Sequence, residues 1–294
     1  MSKAELDPAE VLSALGIASV VSITPVQGGS DTALWRVTHG LHTSALRVFR
    51  AEQAAVAQRE LEALEVAAAA HIPVPALRAA GTWRDRPALL LEWSPGQPLF
   101  QTLQQQPWRV VALGRAFGRT QAQIHQIPQR QHWRHLQANW IDWAGQNDPP
   151  LRAALERRSG PTTLLHLDYH PLNVLMGRAG VTAVLDWANC RIGDPRADVA
   201  RTFTILTLMP FAAGRQPLAL TLARRLLAWS WRRGYEELAG RLADMDWFYV
   251  WAGMVMVRDL APRVGSPQAW WGQRDLARIQ AWADARRARA HDRN

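Results

Sequence analysis

The N-terminal part of the chain alternates short apolar runs with polar turns. Runs rich in β-branched residues and bounded by glycine, proline or small polar residues are typical of strands. This pattern predicts strands over residues 20–25, 33–38, 44–49 and 89–92. A helix should begin after Asp7, which is followed by a proline, and end at Gly16, and a second helix should cover residues 52–70. This part of the chain is therefore predicted to be rich in sheet.

Beyond Gly96 the pattern becomes mainly helical. Helices are predicted over residues 107–127, 139–146, 150–158, 196–208, 216–233, 242–258 and 267–290. Gly234 and Gly265 are predicted to break helices. Short strands are predicted at residues 162–165, 173–176 and 181–185. The change in pattern predicts two domains, residues 1–95 and residues 96–294.

The short strands of the second domain end in polar residues. The segment His166-Leu-Asp168-Tyr-His170-Pro-Leu-Asn173 follows the first of them, and Asp186 follows the last. Kinase-type phosphoryl transfer needs one carboxylate beside the acceptor hydroxyl, and an amide and a second carboxylate as magnesium ligands. Loops held between strands bring such groups together. The spacing predicts a small-molecule kinase, with Asp168 as base or orienter of the hydroxyl, and with Asn173 and Asp186 as metal ligands.

Other interpretations of this segment are open. Any single aspartate or asparagine could be a turn former, because both side chains hydrogen-bond the local backbone. His166, Asp168 and His170 also form an H-x-D-x-H run, and such clusters bind zinc or other transition metals in hydrolases. A tetrahedral site needs at least three protein ligands, however, and no further histidine-rich segment supplies the missing ones. The combined spacing favours the kinase.

Together with Leu-Asp-Trp around Asp186 and the stretch from Gly193 to Asp198, this segment resembles the aminoglycoside phosphotransferase and choline kinase family. The resemblance implies an α+β, two-lobed protein-kinase-like fold, with a small N-terminal antiparallel sheet lobe and a larger, mainly helical C-terminal lobe. It also implies ATP or GTP and Mg²⁺ as cofactors, and a hydroxyl of a small molecule, such as an amino alcohol, a sugar or an antibiotic, as the phosphate acceptor.

The resemblance assigns further roles in the loop. The family loop commonly reads His-Gly-Asp-x-His-x-x-Asn, and Leu167 replaces the glycine in this chain. His166 is a catalytic candidate beside Asp168, and His170 belongs to the loop and need not bind zinc. Asp198 is expected to brace the loop from the start of the next helix.

A kinase also needs a nucleotide-binding segment before the catalytic loop. Gly28, Gly29 and Ser30 lie in the first turn between strands, where backbone amides could approach phosphates. Paired glycines by themselves more often form a simple hairpin turn. The interpretation as a phosphate-binding turn therefore depends on their position in the chain, ahead of the other kinase-like segments. Glu92 and Trp93 end an apolar run before a Pro-Gly break and resemble the hinge whose backbone binds adenine.

Arg47 and Glu60 occupy the places of a kinase lysine and its partner glutamate, which contact the nucleotide phosphates and pair with each other. A guanidinium can make both contacts, although its planar shape differs from that of lysine. The chain has 34 lysines and arginines, of which only Lys3 is a lysine, so Arg47 fits a general replacement of lysine by arginine. Solvated surface roles for both residues are the simpler alternative. Arg47 and Leu167 also leave open a catalytically weak kinase-fold protein that binds a ligand or partner.

Composition excludes several other classes. A net charge of +9 normally suggests nucleic acid or an anionic surface, but the arginines are dispersed, and no basic tract is interleaved with aromatic residues. No nucleic-acid partner is expected. Cys190 is the only cysteine, which fits a reducing compartment, and neither a signal-peptide pattern nor a membrane-spanning run is present. We expect a cytoplasmic protein without a membrane partner, whose oligomeric state is left open.

The identity of the acceptor is not specified by the sequence. Seven of the 15 tryptophans lie in the C-terminal helices, and Trp247 and Trp251 share one helix face. These two tryptophans could be packed in the core, or they could line an acceptor pocket together with Asp244 or Asp246. A strongly basic chain is a poor match for a polycationic acceptor unless acidic residues gather locally.

Overall fold

A computed structural model describes residues 6–26, 32–129, 133–145, 148–158, 160–210, 218–266 and 269–292. The described residues form two compact units. One unit lies within Met1–Gly96 and also includes Thr182–Asn189, and the other lies within Gln97–Val181 and Cys190–Asn294. The domain division at residue 95 stays a prediction, and the sequence pattern does not anticipate that a short later segment joins the first unit.

The first unit is an antiparallel sheet with two helices. Its elements are α1 (Pro8–Ala14), β1 (Val20–Pro25), β2 (Ala33–His39), β3 (His42–Val48), α2 (Ala54–Ala69), β4 (Leu77–Trp83) and β5 (Arg86–Glu92). The strands are ordered β1-β2-β3-β5-β4, and each neighbouring pair is antiparallel. Val37, Leu46 and Leu90 of the sheet form one core with Val11 and Leu12 of α1.

Local sequence explains most boundaries in this unit. The side chain of Asp7 caps α1 by accepting a hydrogen bond from the amide of Ala9 at 2.8 Å. Gly16, at φ 74°, ends the helical segment as predicted. The sequence pattern does not predict β4, because Trp83 is its only buried residue and an alternation of buried and exposed positions is missing.

The second unit is mainly helical. Its helices are α3 (Leu99–Gln105), α4 (Val110–Ile124), α5 (Pro149–Glu156), α6 (Pro195–Leu208), α7 (Leu218–Ala239), α8 (Asp246–Leu260) and α9 (Gln273–Asp292). Its short strands are β6 (Gln97–Pro98), β7 (Thr163–Leu165), β8 (Val174–Met176) and β10 (Arg191–Gly193), while β9 (Val181–Val184) begins here and continues into the first unit. β6 pairs with β8, and β10 pairs with β7.

Helices α4 and α7 cross closely because glycines remove the side chains at the crossing. A Cβ atom at Gly118 would lie 2.0 Å from the carbonyl oxygen of Trp231, and one at Gly234 would lie 2.2 Å from the carbonyl oxygen of Arg115. The predicted helix break at Gly234 is therefore wrong, because α7 continues through it to Ala239. Glycine at this position permits the close approach of α4, and α7 stays helical despite the low helix propensity of glycine.

Helix α8 is apolar on all sides and is buried by its neighbours. Trp247, Phe248 and Trp251 are among its buried residues. The ring of Trp251 meets Trp140 edge-on at 5.0 Å, and its indole N–H donates to the carbonyl of Ile141 at 3.1 Å. Such a helix belongs to a core. No helix in the described ranges has both the length and the apolar character needed to cross a bilayer.

We predict that Gly118→Ala destabilises the protein. Alanine normally stabilises a helix relative to glycine by about 0.5–1 kcal/mol, but here its Cβ would meet the backbone of α7 at 2.0 Å. We expect the free energy of unfolding to fall by about 1–3 kcal/mol, the range for overpacking. Gly272→Ala is the control, since no atom lies within 4 Å of a Cβ at that position. Urea denaturation measures both changes, and an unaltered Gly118→Ala protein would contradict the close crossing.

Asp148 connects α5 to α9. Its carboxylate caps α5 by accepting from the amide of Leu151 at 3.0 Å, and it also accepts two hydrogen bonds from Arg287. The hydrogen bond from Arg287 holds the pKa of Asp148 below its usual value, against the smaller opposing effect of burial. Both the cap and the ion pair therefore stabilise this contact at neutral pH.

Asp148→Ala should lower the free energy of unfolding at pH 7 by about 1–2 kcal/mol, from the lost cap and the lost ion pair. Because the folded-state pKa is depressed, the contribution of the charge is present above the unfolded-state pKa and is lost as the pH falls through the folded-state pKa. The difference should thus shrink below about pH 4. Asp148→Asn, which keeps a capping oxygen, should lose less. Thermal denaturation across pH tests this, and a pH-independent difference would refute the role of the charge.

Candidate functional site

The loop after β7 is held by one buried carboxylate. Asp198, in the first turn of α6, accepts a hydrogen bond from the amide of Leu167 at 2.7 Å and another from the amide of His166 at 3.1 Å. Burial opposes its ionisation, but the hydrogen bond and charge of His125 outweigh burial and hold the pKa of Asp198 below its usual value. The expectation that Asp198 braces the loop thus matches the observed hydrogen bonds.

Leu167 adopts a left-handed backbone conformation, with φ at 61°. Glycine reaches this region without cost, whereas a residue with a side chain loses about 1–2 kcal/mol there. The conformation lets two successive amides point at the carboxylate of Asp198. The leucine side chain is fully buried, and its burial offsets part of the backbone strain. The loop therefore keeps its hydrogen bonds although the usual glycine is missing.

Asp168 and Asn173 lie together in this loop. The side-chain amide of Asn173 donates to the main-chain oxygen of Asp168 at 3.0 Å and contacts its carboxylate at 3.4 Å. His170 lies 3.6 Å from the same carboxylate. Burial alone would raise the pKa of Asp168, but attraction to His170, with smaller contributions from Arg201 and His166, holds it well below the usual value. Asp168 is therefore ionised at neutral pH.

His166 is buried and part of the loop scaffold. Its Nδ1 accepts a hydrogen bond from the amide of Asp168 at 3.3 Å, and its ring meets Tyr169 edge-on at 5.8 Å. Among the described residues, no three side chains of histidine, cysteine, aspartate or glutamate are grouped as a metal site requires. The H-x-D-x-H run thus has no zinc-site geometry in this part of the chain.

A buried polar network behind the loop was not anticipated by the sequence pattern. His125, directly after α4, places Nε2 2.9 Å from the carboxylate of Asp198 and Nδ1 2.8 Å from the hydroxyl of Tyr235. The side chain of His125 is buried. Its function as a support for Asp198 depends on partners far away in the chain, so no local signal could reveal it.

In the first unit, Arg47 joins two carboxylates. Its guanidinium donates to Glu60 at 2.6 Å and to Asp186 at 3.0 Å, while its Nε donates to Thr32 at 3.2 Å. Burial opposes the charge of Arg47, but the two carboxylates together raise its pKa above the usual value. Burial also raises the pKa of Glu60 to about 7, although Arg47 counteracts it. Arg47 and Glu60 are thus partners and not separate surface residues.

Two oxygen atoms suit a hard cation such as Mg²⁺. Asp186, at φ 59°, uses one carboxylate oxygen for Arg47, and within the described residues its second oxygen makes no hydrogen bond. Asn173 uses its amide nitrogen as a donor, and its amide oxygen accepts no hydrogen bond there. Carboxylate and amide oxygens are the ligand types that Mg²⁺ prefers, alongside water and phosphate oxygens. Each of these two oxygen atoms is therefore of a type that suits the predicted metal.

The remaining nucleotide candidates are only partly described. Gly28, Gly29 and Ser30 lie outside the described residues. The side chain of Glu92 pairs with Arg78 at 2.6 Å, and the amide of Trp93 donates to the carbonyl of Thr43 at 3.0 Å. The amide of Glu92 also donates to a carbonyl, that of Ala76, at 2.8 Å.

The tryptophans proposed for the acceptor are core residues. Trp247 and Trp251 are 4% and 0% exposed, so the core interpretation holds and the acceptor interpretation is wrong for this pair. The acidic residues nearby do not gather into a cation site either. Asp246 pairs with Arg286 at 3.2 Å, and Glu237 pairs with Arg119 at 2.7 Å.

Several solved structures resemble this one. An amicoumacin kinase in complex with AMP-PNP, Ca²⁺ and Ami is 14% identical, with a TM-score of 0.70 and coverage of 96% of this chain and 95% of that chain. A thermostable mutant of aminoglycoside phosphotransferase APH(4)-Ia with ADP and hygromycin B is 17% identical, with a TM-score of 0.64 and coverage of 96% and 97%. An aminoglycoside-3′-phosphotransferase of type VIII is 17% identical, with a TM-score of 0.61 and coverage of 84% and 98%. The α+β, protein-kinase-like fold is thereby confirmed.

The sequence also matches a family profile directly. No curated protein matches the chain. The profile of the phosphotransferase enzyme family, in contrast, matches residues 22–240, which run from within β1, through the loop after β7 and Asp186, to the end of α7. Since this match extends over most of the chain, the protein belongs to the phosphotransferase enzyme family.

Proposed function

We propose that this phosphotransferase is a kinase that transfers the γ-phosphoryl group of ATP or GTP to a hydroxyl of a small molecule. The observation that carries the proposal is the pair of amide hydrogen bonds to Asp198. They hold the loop in a form in which Asp168 is ionised and in contact with Asn173. The complexes of similar proteins with AMP-PNP or ADP support a nucleotide as donor.

Asp168 would receive the hydroxyl of the acceptor. Its low pKa makes it a weak base, so its main contribution is to accept a hydrogen bond and orient the attacking oxygen. This role suits kinase chemistry, because a loose transition state depends on positioning and charge more than on early proton removal. His166 acts on the loop and not on the substrate, since its ring is buried.

Asn173 and Asp186 are the proposed ligands of Mg²⁺. A bound Mg²⁺ would supply positive charge against the nucleotide phosphates. Arg47 and Glu60 are the proposed phosphate contact and its support. Glu60 and Asp186 accept hydrogen bonds from different terminal nitrogens of the Arg47 guanidinium, so that both carboxylates orient it.

The alternative is a kinase-fold protein that binds ligands with little transfer. Arg47 favours it, because a guanidinium held by two carboxylates is less available to phosphate than a lysine ammonium would be. Nucleotide turnover decides between the two. ATP or GTP consumption should be measured with and without Mg²⁺, and with a panel of amino alcohols, sugars and antibiotics. Acceptor-dependent consumption supports the kinase, and nucleotide binding without consumption supports the alternative. The predicted cytoplasmic location stays a prediction.

We predict that Asp168→Asn lowers turnover at least ~10²-fold, the typical contribution of a positioned acid or base. Nucleotide affinity should change little, because Asp168 is assigned to the acceptor. Asn keeps the size of the side chain, so the fold should persist. Turnover and nucleotide affinity of the variant would be measured together. Unchanged turnover would remove Asp168 from the mechanism.

Arg47→Lys should retain or raise turnover, since an ammonium suits both Glu60 and the phosphates. Arg47→Ala should weaken ATP binding by roughly 1.5–3 kcal/mol, the range for a hydrogen bond to a charged group. Arg86→Ala is a control for loss of an arginine from the same sheet, because Arg86 begins β5 at the end of the strand opposite Glu92. Calorimetric titration with AMP-PNP measures the affinities. Equal ATP affinity of Arg47→Ala and the unmodified chain would favour the binding-only alternative.

A further inference from the structure

A basic cleft lies between α6, α7 and α9 of the second unit. Its volume is about 730 Å³, and all of its lining residues belong to the described part of this unit. Arg224, Arg225, Arg232, Arg233 and Arg241 line it from α7 and the turn after it, and Arg278 lines it from α9. Glu236 is the single carboxylate among the lining residues. The function proposed above does not use this cleft.

One carboxylate cannot neutralise this many arginines. Glu236 is held by Arg232 at 2.8 Å and lies 3.9 Å from Arg241. Arg225 and Arg233 are exposed and make no hydrogen bond or ion pair with any described residue. The cleft thus has a net positive charge, and its walls concentrate the electrostatic potential.

Two of the arginines are fixed by the fold. Arg224 donates to the carbonyls of Leu206 and Met209, each at 2.9 Å, and Arg278 donates to the carbonyl of Leu208 at 2.9 Å. These bonds satisfy the C-terminal end of α6. They also hold two like charges near each other, and burial together with the charge of Arg278 lowers the pKa of Arg224 to about 10. A bound anion would relieve this repulsion.

The cleft also offers a flat apolar surface. Trp229 is 51% exposed, and Phe203 is partly exposed, and both line the cleft. Arginine binds phosphate and carboxylate groups through paired hydrogen bonds, while an indole ring packs against flat apolar groups. The two kinds of surface together fit an anionic molecule with an aromatic or otherwise flat body.

We propose that this cleft binds a small molecule that carries a phosphate or carboxylate group on a flat apolar body. Arg225 and Arg233 supply positive charge that is available to the ligand. Arg224 and Arg278 form a fixed, positively charged wall. Trp229 provides the apolar contact. The proposal concerns binding alone and does not depend on phosphoryl transfer. Its test therefore needs no nucleotide and no turnover.

The test is calorimetric titration of the full chain with phenyl phosphate and, separately, with phthalate. Benzamide, which has a ring without charge, is the matched ligand control. We expect saturable binding of at least one anion and none of benzamide. The tighter of the two anions identifies the phosphate or the carboxylate as the preferred group. A quench of tryptophan fluorescence that is lost in Trp229→Phe would place the ligand in the cleft.

Matched variants separate the cleft from general charge attraction. Arg225→Gln with Arg233→Gln should weaken binding at least about tenfold, since two charge-assisted contacts are lost. Both residues are exposed and have no partner among the described residues, so the double variant should fold. Arg157→Gln with Arg289→Gln removes the same charge from exposed positions outside the cleft and should leave affinity nearly unchanged. Equal weakening in both double variants, no saturable binding of either anion, or binding of a short RNA oligonucleotide in place of both, would overturn the proposal.

Discussion

The carboxylate of Asp198 is the contact on which the loop after β7, with Asp168 and Asn173, depends. It is fully buried, and it accepts hydrogen bonds from two successive amides of the loop. A buried carboxylate without such partners would be strongly unfavourable, so the loop and the carboxylate require each other. Leu167 adopts a left-handed conformation in this arrangement, in which its own amide and that of His166 both donate to Asp198. Asp168 and Asn173 then follow in fixed positions.

This contact depends in turn on the packing of helices. His125 follows α4 and Tyr235 lies on α7, and the two hydrogen-bond each other behind Asp198. Their proximity requires the close crossing of these helices, which Gly118 and Gly234 permit. The glycines therefore influence the loop from a distance, through a chain of buried hydrogen bonds whose cost of disruption is high in a low-dielectric interior.

Arginine chemistry distinguishes this chain in both units. In the first unit, Arg47 replaces a lysine and neutralises Glu60 and Asp186 together. In the second unit, arginines pair with acidic residues that could have attracted a cation, such as Glu237 and Asp246. Other arginines line a cleft that contains a single carboxylate among its lining residues. Arginine remains charged when it is buried, whereas a buried lysine can lose its proton. The positive charge at these sites therefore does not depend on their burial. The second unit thus presents a positively charged cleft and, among its described residues, no gathering of acidic side chains.

The sequence by itself determined the features that depend on local order. Strands β1, β2, β3 and β5, the capped start of α1 and the spacing of Asp168, Asn173 and Asp186 could be predicted, because turn residues, caps and short loops act over a few residues. Strand β4 could not, because it lacks an alternation of buried and exposed positions. Arg47 and Glu60 could be placed by their order relative to those elements. Tertiary structure decided what depends on distant partners: the helical course of α7 through Gly234, the burial of Trp247 and Trp251, and the support of Asp198 by His125. The local sequence does not show whether a glycine breaks a helix or permits close packing, or whether a tryptophan or histidine lines a pocket or packs in a core. These outcomes depend on neighbouring residues that are distant in sequence and are brought together only by folding.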